Sequence, residues 1–202
     1  MRKIKYSKKF IYLISPTKIK SLQFLKDLEE VFQTKKVSFF QLRLKYTPKK
    51  KILFIGKKIK KLCNKYRVKF IINDDPLLAK KLNADGCHLG QKDMPITKAR
   101  KIIQKKIIGL TCHNSKKLIF KAINFKADYI AIGSFFYSKT KRIKFRAKIN
   151  LINFAKSITN IPIVVIGGIN DNNYEKLLLN KANFLAISGY IWNNNKYKPK
   201  EA

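Results

Sequence analysis

The sequence predicts an α/β fold: eight strands and their helices closed into a single-domain (β/α)8 TIM barrel. Three observations carry this. Eight short apolar runs recur along the chain, and most of them end in a polar or glycine-bearing cluster. Between them lie seven stretches with apolar residues at three- and four-residue spacing, the period of a helix packed on one face. The runs are largely apolar at consecutive positions, as parallel strands buried on both faces require. Regular alternation with eight strands points to a closed barrel over an open doubly wound sheet. There is no Ser/Gly-rich spacer or low-complexity block, so residues 1–202 read as one domain, its core at about 11–191 with basic extensions at both ends.

Each element follows in order. Residues 9–15 form a buried strand that stops at Ser15-Pro16, and Leu22, Leu25, Leu28 and Phe32 carry the first helix. Residues 37–45 are the second strand. Pro48 then opens a helix with Ile52, Ile55, Ile59 and Leu62 on one face, and Pro76 suits the first turn of a later one. The remaining strands are 68–72, 86–89, 107–111, 128–133, 163–166 and 184–188. The helices between them are 76–82, 96–103, 115–125, about 150–157 and 172–179. The tail from 192 to 202 is polar and Lys-rich, short for a final barrel helix.

Composition narrows the partners. Hydrophobic residues make up 46% of the chain, which separates it from disordered sequences. Forty-six Lys and Arg against eleven Asp and Glu give a net charge of +35, which suits anionic partners, phosphorylated small molecules or nucleic acid. The Lys residues are dispersed, however, and accompany many Ile, Asn, Phe and Tyr, residues with codons rich in A and T. Compositional drift accounts for that pattern better than a nucleic-acid surface, where basic residues gather on one face among aromatics. Cys63, Cys87 and Cys112 form no CxxC pair and leave one odd, as in reduced thiols of a cytoplasmic protein. No apolar stretch is long enough to span a membrane. The apolar run after the basic start is too short for a secretion signal and lacks a small-residue cleavage site.

Chemistry concentrates where strands end. Residues 71–94 hold four of the eleven acidic residues, Asp74, Asp75, Asp85 and Asp93. Two strands in this stretch end in polar clusters, one at Asn73-Asp74 and one at Gly90-Gln91-Lys92-Asp93. Ligands of parallel barrels bind at the carboxyl ends of strands, and two carboxylates there suit a hard divalent cation such as Mg2+. The competing expectation is ordinary capping, with Asp74 or Asp75 at a helix start. On the second strand Gln41, Arg43 and Lys45 share one face, a donor-rich wall suited to a pyrophosphate. His113 ends the fifth strand, as either a general base or a loop histidine. Tyr137-Ser138-Lys139-Thr140-Lys141 is a loop dense in hydroxyls and Lys. Gly167-Gly168 on strand seven and Ser188-Gly189 on strand eight suit the backbone nest of a barrel phosphate site.

Together these blocks resemble the ordered motifs of thiamine-phosphate synthases. The resemblance rests on Gln41-Leu42-Arg43-Leu44-Lys45, Ile72-Asn73-Asp74, residues 85–94 (DGCHLGQKDM), residues 127–133 (ADYIAIG), Thr140-Lys141 and Ile166-Gly167-Gly168-Ile169. It runs from about residue 12 to 191. It implies a transferase that joins hydroxymethylpyrimidine pyrophosphate to a thiazole phosphate with Mg2+ bound and releases pyrophosphate. By that resemblance Gln41, Arg43, Lys45 and Asn73 hold the pyrimidine pyrophosphate, and Asp74 and Asp93 ligate Mg2+. Thr111 stands where the family places a Ser near the pyrophosphate. Ser138 and Thr140 match hydroxyls near the thiazole, and Lys141 contacts the pyrophosphate. Gly168, Ile187 and Ser188 bind the thiazole phosphate through backbone groups. Arg43, Lys45 and Lys141 are the expected catalytic cations.

Two departures stand out. Ser134 replaces the Pro usual after Gly133, and Ser138 replaces the first Thr of the family's TxTK. A thiazole tautomerase relative is the competing enzyme, which shares the barrel and a His like His113 but lacks the full metal and pyrophosphate set. A basic nucleic-acid-binding barrel is the competitor of another class. The expected partners are the two small-molecule substrates, with no specific nucleic acid and no membrane. A homo-oligomer is left open.

Overall fold

Eight parallel strands close on themselves in chain order in the computed structural model, which describes residues 10–137 and 145–202. They are β1 (Ile11–Ile14), β2 (Val37–Leu42), β3 (Lys69–Asn73), β4 (Gly86–Leu89), β5 (Ile107–His113), β6 (Tyr129–Gly133), β7 (Ile163–Ile166) and β8 (Phe184–Ile187). Closure is made by β8 against β1, with Leu185 opposite Ile11 and Ile187 opposite Leu13. The helices are α1 (Gln23–Gln33), α2 (Lys49–Lys65), α3 (Pro76–Lys81), α4 (Ile96–Ile103), α5 (Lys116–Asn124), α6 (Asn150–Ile158), α7 (Glu175–Leu179) and α8 (Gly189–Trp192).

The pleat divides each strand between two cores. Outward residues such as Leu13, Phe40, Ile72, Cys87, Ile108 and Ile132 pack under the helices, against Leu28, Ile59 and Ile119. All nine are at most 1% exposed, and burying a side chain of the Leu or Phe kind stabilises by roughly 1.5–3 kcal/mol. Inward residues Tyr12, Ile14, Phe39, Tyr129, Ala131, Val164 and Ala186 fill the barrel. One glycine is dictated by that filling. A Cβ on Gly109 would stand 1.9 Å from Cζ of Tyr129, so the ring of Tyr129 occupies the space a side chain would need. Helix ends on the floor of the barrel use unusual residues. Lys35, Arg67, Asn83, Lys126 and Lys181, each just past a helix, take the left-handed conformation that glycine normally supplies.

Two elements differ from the sequence expectation. β2 stops at Leu42, three residues before Lys45, because the backbone turns away toward the loop after β1. There Arg43 N–H donates to Ser15 Oγ at 2.9 Å and Lys45 N–H to the Thr17 carbonyl at 3.1 Å. The last helix, α8, does form, but over only four residues. Its Trp192 indole donates to the Ile14 carbonyl at 2.6 Å and packs 4.9 Å from the Phe24 ring. The tail then returns to α1, where Lys200 pairs with Glu30 at 3.2 Å.

Candidate active site

The mouth of the barrel is built from the strand ends and the loops after them. Gln41 points inward, is 3% exposed, and donates from Nε2 to Asn73 Oδ1 at 2.5 Å. Arg43 follows on the loop held by Ser15. Among the described residues no carboxylate or carbonyl accepts from its guanidinium, so the fork is left for something else. Lys45 Nζ meets Asp74 Oδ2 at 2.7 Å.

The two adjacent aspartates divide between the two expectations. Asp75 is the cap of α3, accepting from Leu78 N–H at 2.9 Å. Asp74 adopts φ +66°, a strained setting for a residue with a Cβ, pinned by its N–H on the His88 carbonyl at 2.8 Å. Asp93 approaches from the β4 loop, its Oδ2 accepting from Gly90 N–H at 2.6 Å. Burial raises the Asp93 carboxyl above its ordinary value, the adjacent Asp74 carboxyl raises it further, and the Gly90 N–H and Lys45 oppose. The two carboxyls, on loops after β3 and β4, act on each other as like charges.

Thr111 sits inside the mouth on β5, and Gln91 Nε2 donates to its carbonyl. His88 reaches it from β4, with Nε2 at 2.8 Å from Thr111 Oγ1 and Nδ1 at 2.8 Å from Tyr129 OH. Burial pushes the His88 pKa down to about 4, so the ring is neutral at pH 7; nearby Asp74 only partly offsets this. His113 ends β5 at φ +50°, its ring 4.6 Å from that of Phe145.

On the opposite side Gly167 and Gly168 have φ +109° and +63°. A Cβ on Gly168 would lie 2.0 Å from the Tyr137 carbonyl, so that conformation and that closeness both exclude a side chain. Asn173 Nδ2 holds the Gly168 carbonyl at 3.0 Å, and Ser188 Oγ donates to the Ser15 carbonyl at 3.2 Å. Ile187 ends β8 just before Ser188. The expected Ser138, Thr140 and Lys141 lie outside the described residues.

The family model described as thiamine monophosphate synthase matches residues 11–191. The chain belongs to the thiamine monophosphate synthase family. It is 65% identical over 202 residues to a thiamine-phosphate synthase of Pelagibacter ubique, covering 100% of this chain and 98% of that one. A thiamine-phosphate synthase of Rhodospirillum centenum is 36% identical over 185 residues, covering 91% of this chain and 89% of its own. Among solved structures, a thiamine phosphate pyrophosphorylase from Pyrococcus furiosus superposes with a TM-score of 0.83 at 26% identity, over 96% of this chain and 91% of that one.

Some residues that build this synthase-family mouth are not singled out by the sequence. Ser15 fixes the Arg43 backbone, His88 and Gln91 hydrogen-bond Thr111, and Tyr129 holds His88. A strand-alternation count carries part of the signal: Gly86 and His88 share the inward face of β4, as Tyr129 and Ala131 do on β6. Nothing local marks Ser15, whose role depends on a loop 28 residues away.

Proposed function

We propose that the mouth catalyses the family reaction, with the residues around Asp74 and Asp93 handling the pyrophosphate. The chain is a transferase of thiamine biosynthesis, condensing hydroxymethylpyrimidine pyrophosphate with a thiazole phosphate to thiamine phosphate and pyrophosphate. The single observation that carries the site assignment is the like-charge carboxyl pair Asp74–Asp93 beside Lys45 and the unspent Arg43 fork.

A Mg2+ ion fits this donor set. Two hard carboxylates of neighbouring loops would hold it, with water and a substrate phosphate completing the shell, as Mg2+ prefers. When bound, the ion neutralises charge on the departing pyrophosphate.

The chain's own groups do the rest. Arg43 donates a planar fork and Lys45 a point charge to the same leaving group, and Lys141 is assigned to it as well. The Gln41–Asn73 pair orients the pyrimidine half at the foot of that wall. Thr111 donates its hydroxyl to the pyrophosphate. The Gly168 turn, Ile187 and Ser188 hold the thiazole phosphate with backbone groups, and Ser138 and Thr140 contact the thiazole. The pyrimidine methylene carbon loses pyrophosphate, and the thiazole nitrogen adds to that carbon. Such a step needs charge stabilisation and alignment rather than a nucleophile or base of the protein. The Lys residues are spread along the chain, so no specific nucleic acid is inferred and any DNA complex is expected to be weak and steeply salt-sensitive. Three free cysteines, all buried, suit work in a reducing cytoplasm.

One incubation tests this reading. Both phosphorylated substrates with Mg2+ are expected to yield thiamine phosphate and pyrophosphate in equal amounts, and a chelator to stop both. Isomerisation of the thiazole without coupling would instead assign the chain to the tautomerase relatives.

A further inference from the structure

Three polar side chains run through the barrel interior where apolar residues would pack more cheaply. Tyr12 OH lies 2.7 Å from Tyr129 OH, which lies 2.8 Å from His88 Nδ1. His88 Nε2 then reaches Thr111 Oγ1 at 2.8 Å. Tyr12 and Tyr129 are 1% and 3% exposed, and the chain is housed on purpose, since Gly109 clears space for the Tyr129 ring. The His88 and Tyr129 rings are also stacked, 5.6 Å between centroids.

We infer that Tyr12, Tyr129 and His88 form a directed hydrogen-bond chain that fixes the Thr111 hydroxyl as a donor into the mouth, toward the departing pyrophosphate. The direction follows from the buried end. Among the described residues Tyr12 OH has one partner, Tyr129 OH. If Tyr129 donated to Tyr12, the Tyr12 proton would be left without an acceptor amid Ile14, Phe39, Val164 and Ala186. Stranding a buried donor is costly, so Tyr12 donates to Tyr129. Tyr129 therefore donates onward to His88 Nδ1. A neutral ring that accepts at Nδ1 carries its proton on Nε2, which donates to Thr111 Oγ1. An oxygen that already accepts from His88 has its own proton free for another acceptor. Thr111 is partly exposed within the mouth, where an anionic oxygen makes that bond charge-assisted. His88 and Tyr129 are thus positioning residues, acting through Thr111.

The inference rests on the pyrophosphate reading of the mouth, and its test separates the two. The first measurement needs no substrate. The chain has two histidines, so the ring nitrogens of 15N-labelled protein are assignable with a His113→Gln variant. The His88 signal is expected to show Nε2 protonated and Nδ1 bare; the opposite tautomer overturns the chain's direction whatever the enzyme does. The second is a double-mutant cycle on kcat. Thr111→Val is expected to cost on the order of 10²-fold, as loss of one preorganised donor does. The isosteric Tyr129→Phe is expected to cost about tenfold, typical of a group one shell out. The double variant should then be no slower than Thr111→Val alone, because Tyr129 has nothing left to orient. Additive losses, or a neutral Thr111→Val in an active enzyme, sink the inference. An inactive wild type sinks the parent reading and leaves the tautomer measurement standing.

Discussion

Carboxylates at the two ends of the barrel live in opposite circumstances. On the floor, Asp85 and Asp128, and with them the amide of Asn183, precede β4, β6 and β8 and repeat one device. Each side-chain oxygen accepts an N–H near the start of the preceding strand, from Phe70, Ile108 and Ile163 respectively. Each also takes a cation from a helix: Lys60 at 2.8 Å, Arg100 at 2.7 Å and Lys156 at 2.7 Å. Burial alone would raise the Asp85 carboxyl, but Lys60 and the Phe70 N–H outweigh it and hold it below its ordinary value. At the mouth, Asp93 is raised by burial and by Asp74. A carboxylate lowered by its neighbours is part of the frame. One raised by burial and by another carboxylate, with Lys45 only partly relieving it, is placed for chemistry rather than for support.

The sharpest way to break that contrast is to neutralise the mouth. Asp74→Asn and Asp93→Asn are each expected to lose at least about 10²-fold in turnover, as an anionic ligand and its charge disappear. Thermal melting should be unchanged or slightly higher, since the like-charge repulsion goes too. Near-normal Mg2+-dependent rates in both variants would remove the metal assignment. Second in size is Arg43→Ala, with about 10²–10³ lost in kcat where charge develops on the leaving group. His113→Ala should cost far less, because coupling asks for no base there. The reverse ranking on a thiazole isomerisation assay would favour a tautomerase.

The floor should respond in stability instead. Asp85→Ala strands the Phe70 N–H and leaves Lys60 beside Lys69, for a loss of about 2–3 kcal/mol in denaturant unfolding. Turnover per folded molecule should hold, and a large kcat effect would blur the division between the two ends. The smallest effect is one of acid. His88 has a folded pKa near 4 against an ordinary 6.5, so between those values the unfolded chain binds more protons. Stability tied to neutral His88 is present above pH 6.5 and drains as pH falls toward 4. The loss is about 1–2 kcal/mol, less than the full shift implies because the mouth admits water. Wild-type melting should therefore fall further than that of His88→Gln across this window. Parallel curves would mean that the ring is already charged or already solvated.

The sequence by itself determined the architecture. Eight apolar runs in regular alternation with helical stripes point to a parallel barrel with both faces of every strand buried, and strand ends such as Asn73-Asp74 and Gly167-Gly168 locate the mouth. Local periodicity is enough for this because burial is set by short-range pattern. It also read Gln41, Arg43 and Lys45 as one wall, though it carried the strand too far, since Ser15 and Thr17 on the neighbouring loop after β1 bend the backbone after Leu42. What the tertiary structure alone decided is pairing. Asp74 and Asp75 are identical neighbours in the chain, yet one caps α3 and the other faces Asp93. His88 and Thr111 are 23 residues apart and Tyr12 and Tyr129 are 117, so their hydrogen bonds exist only after closure. A residue's chemistry depends on the dielectric and partners around it, and those are brought together by the curvature of the sheet, which no local window contains.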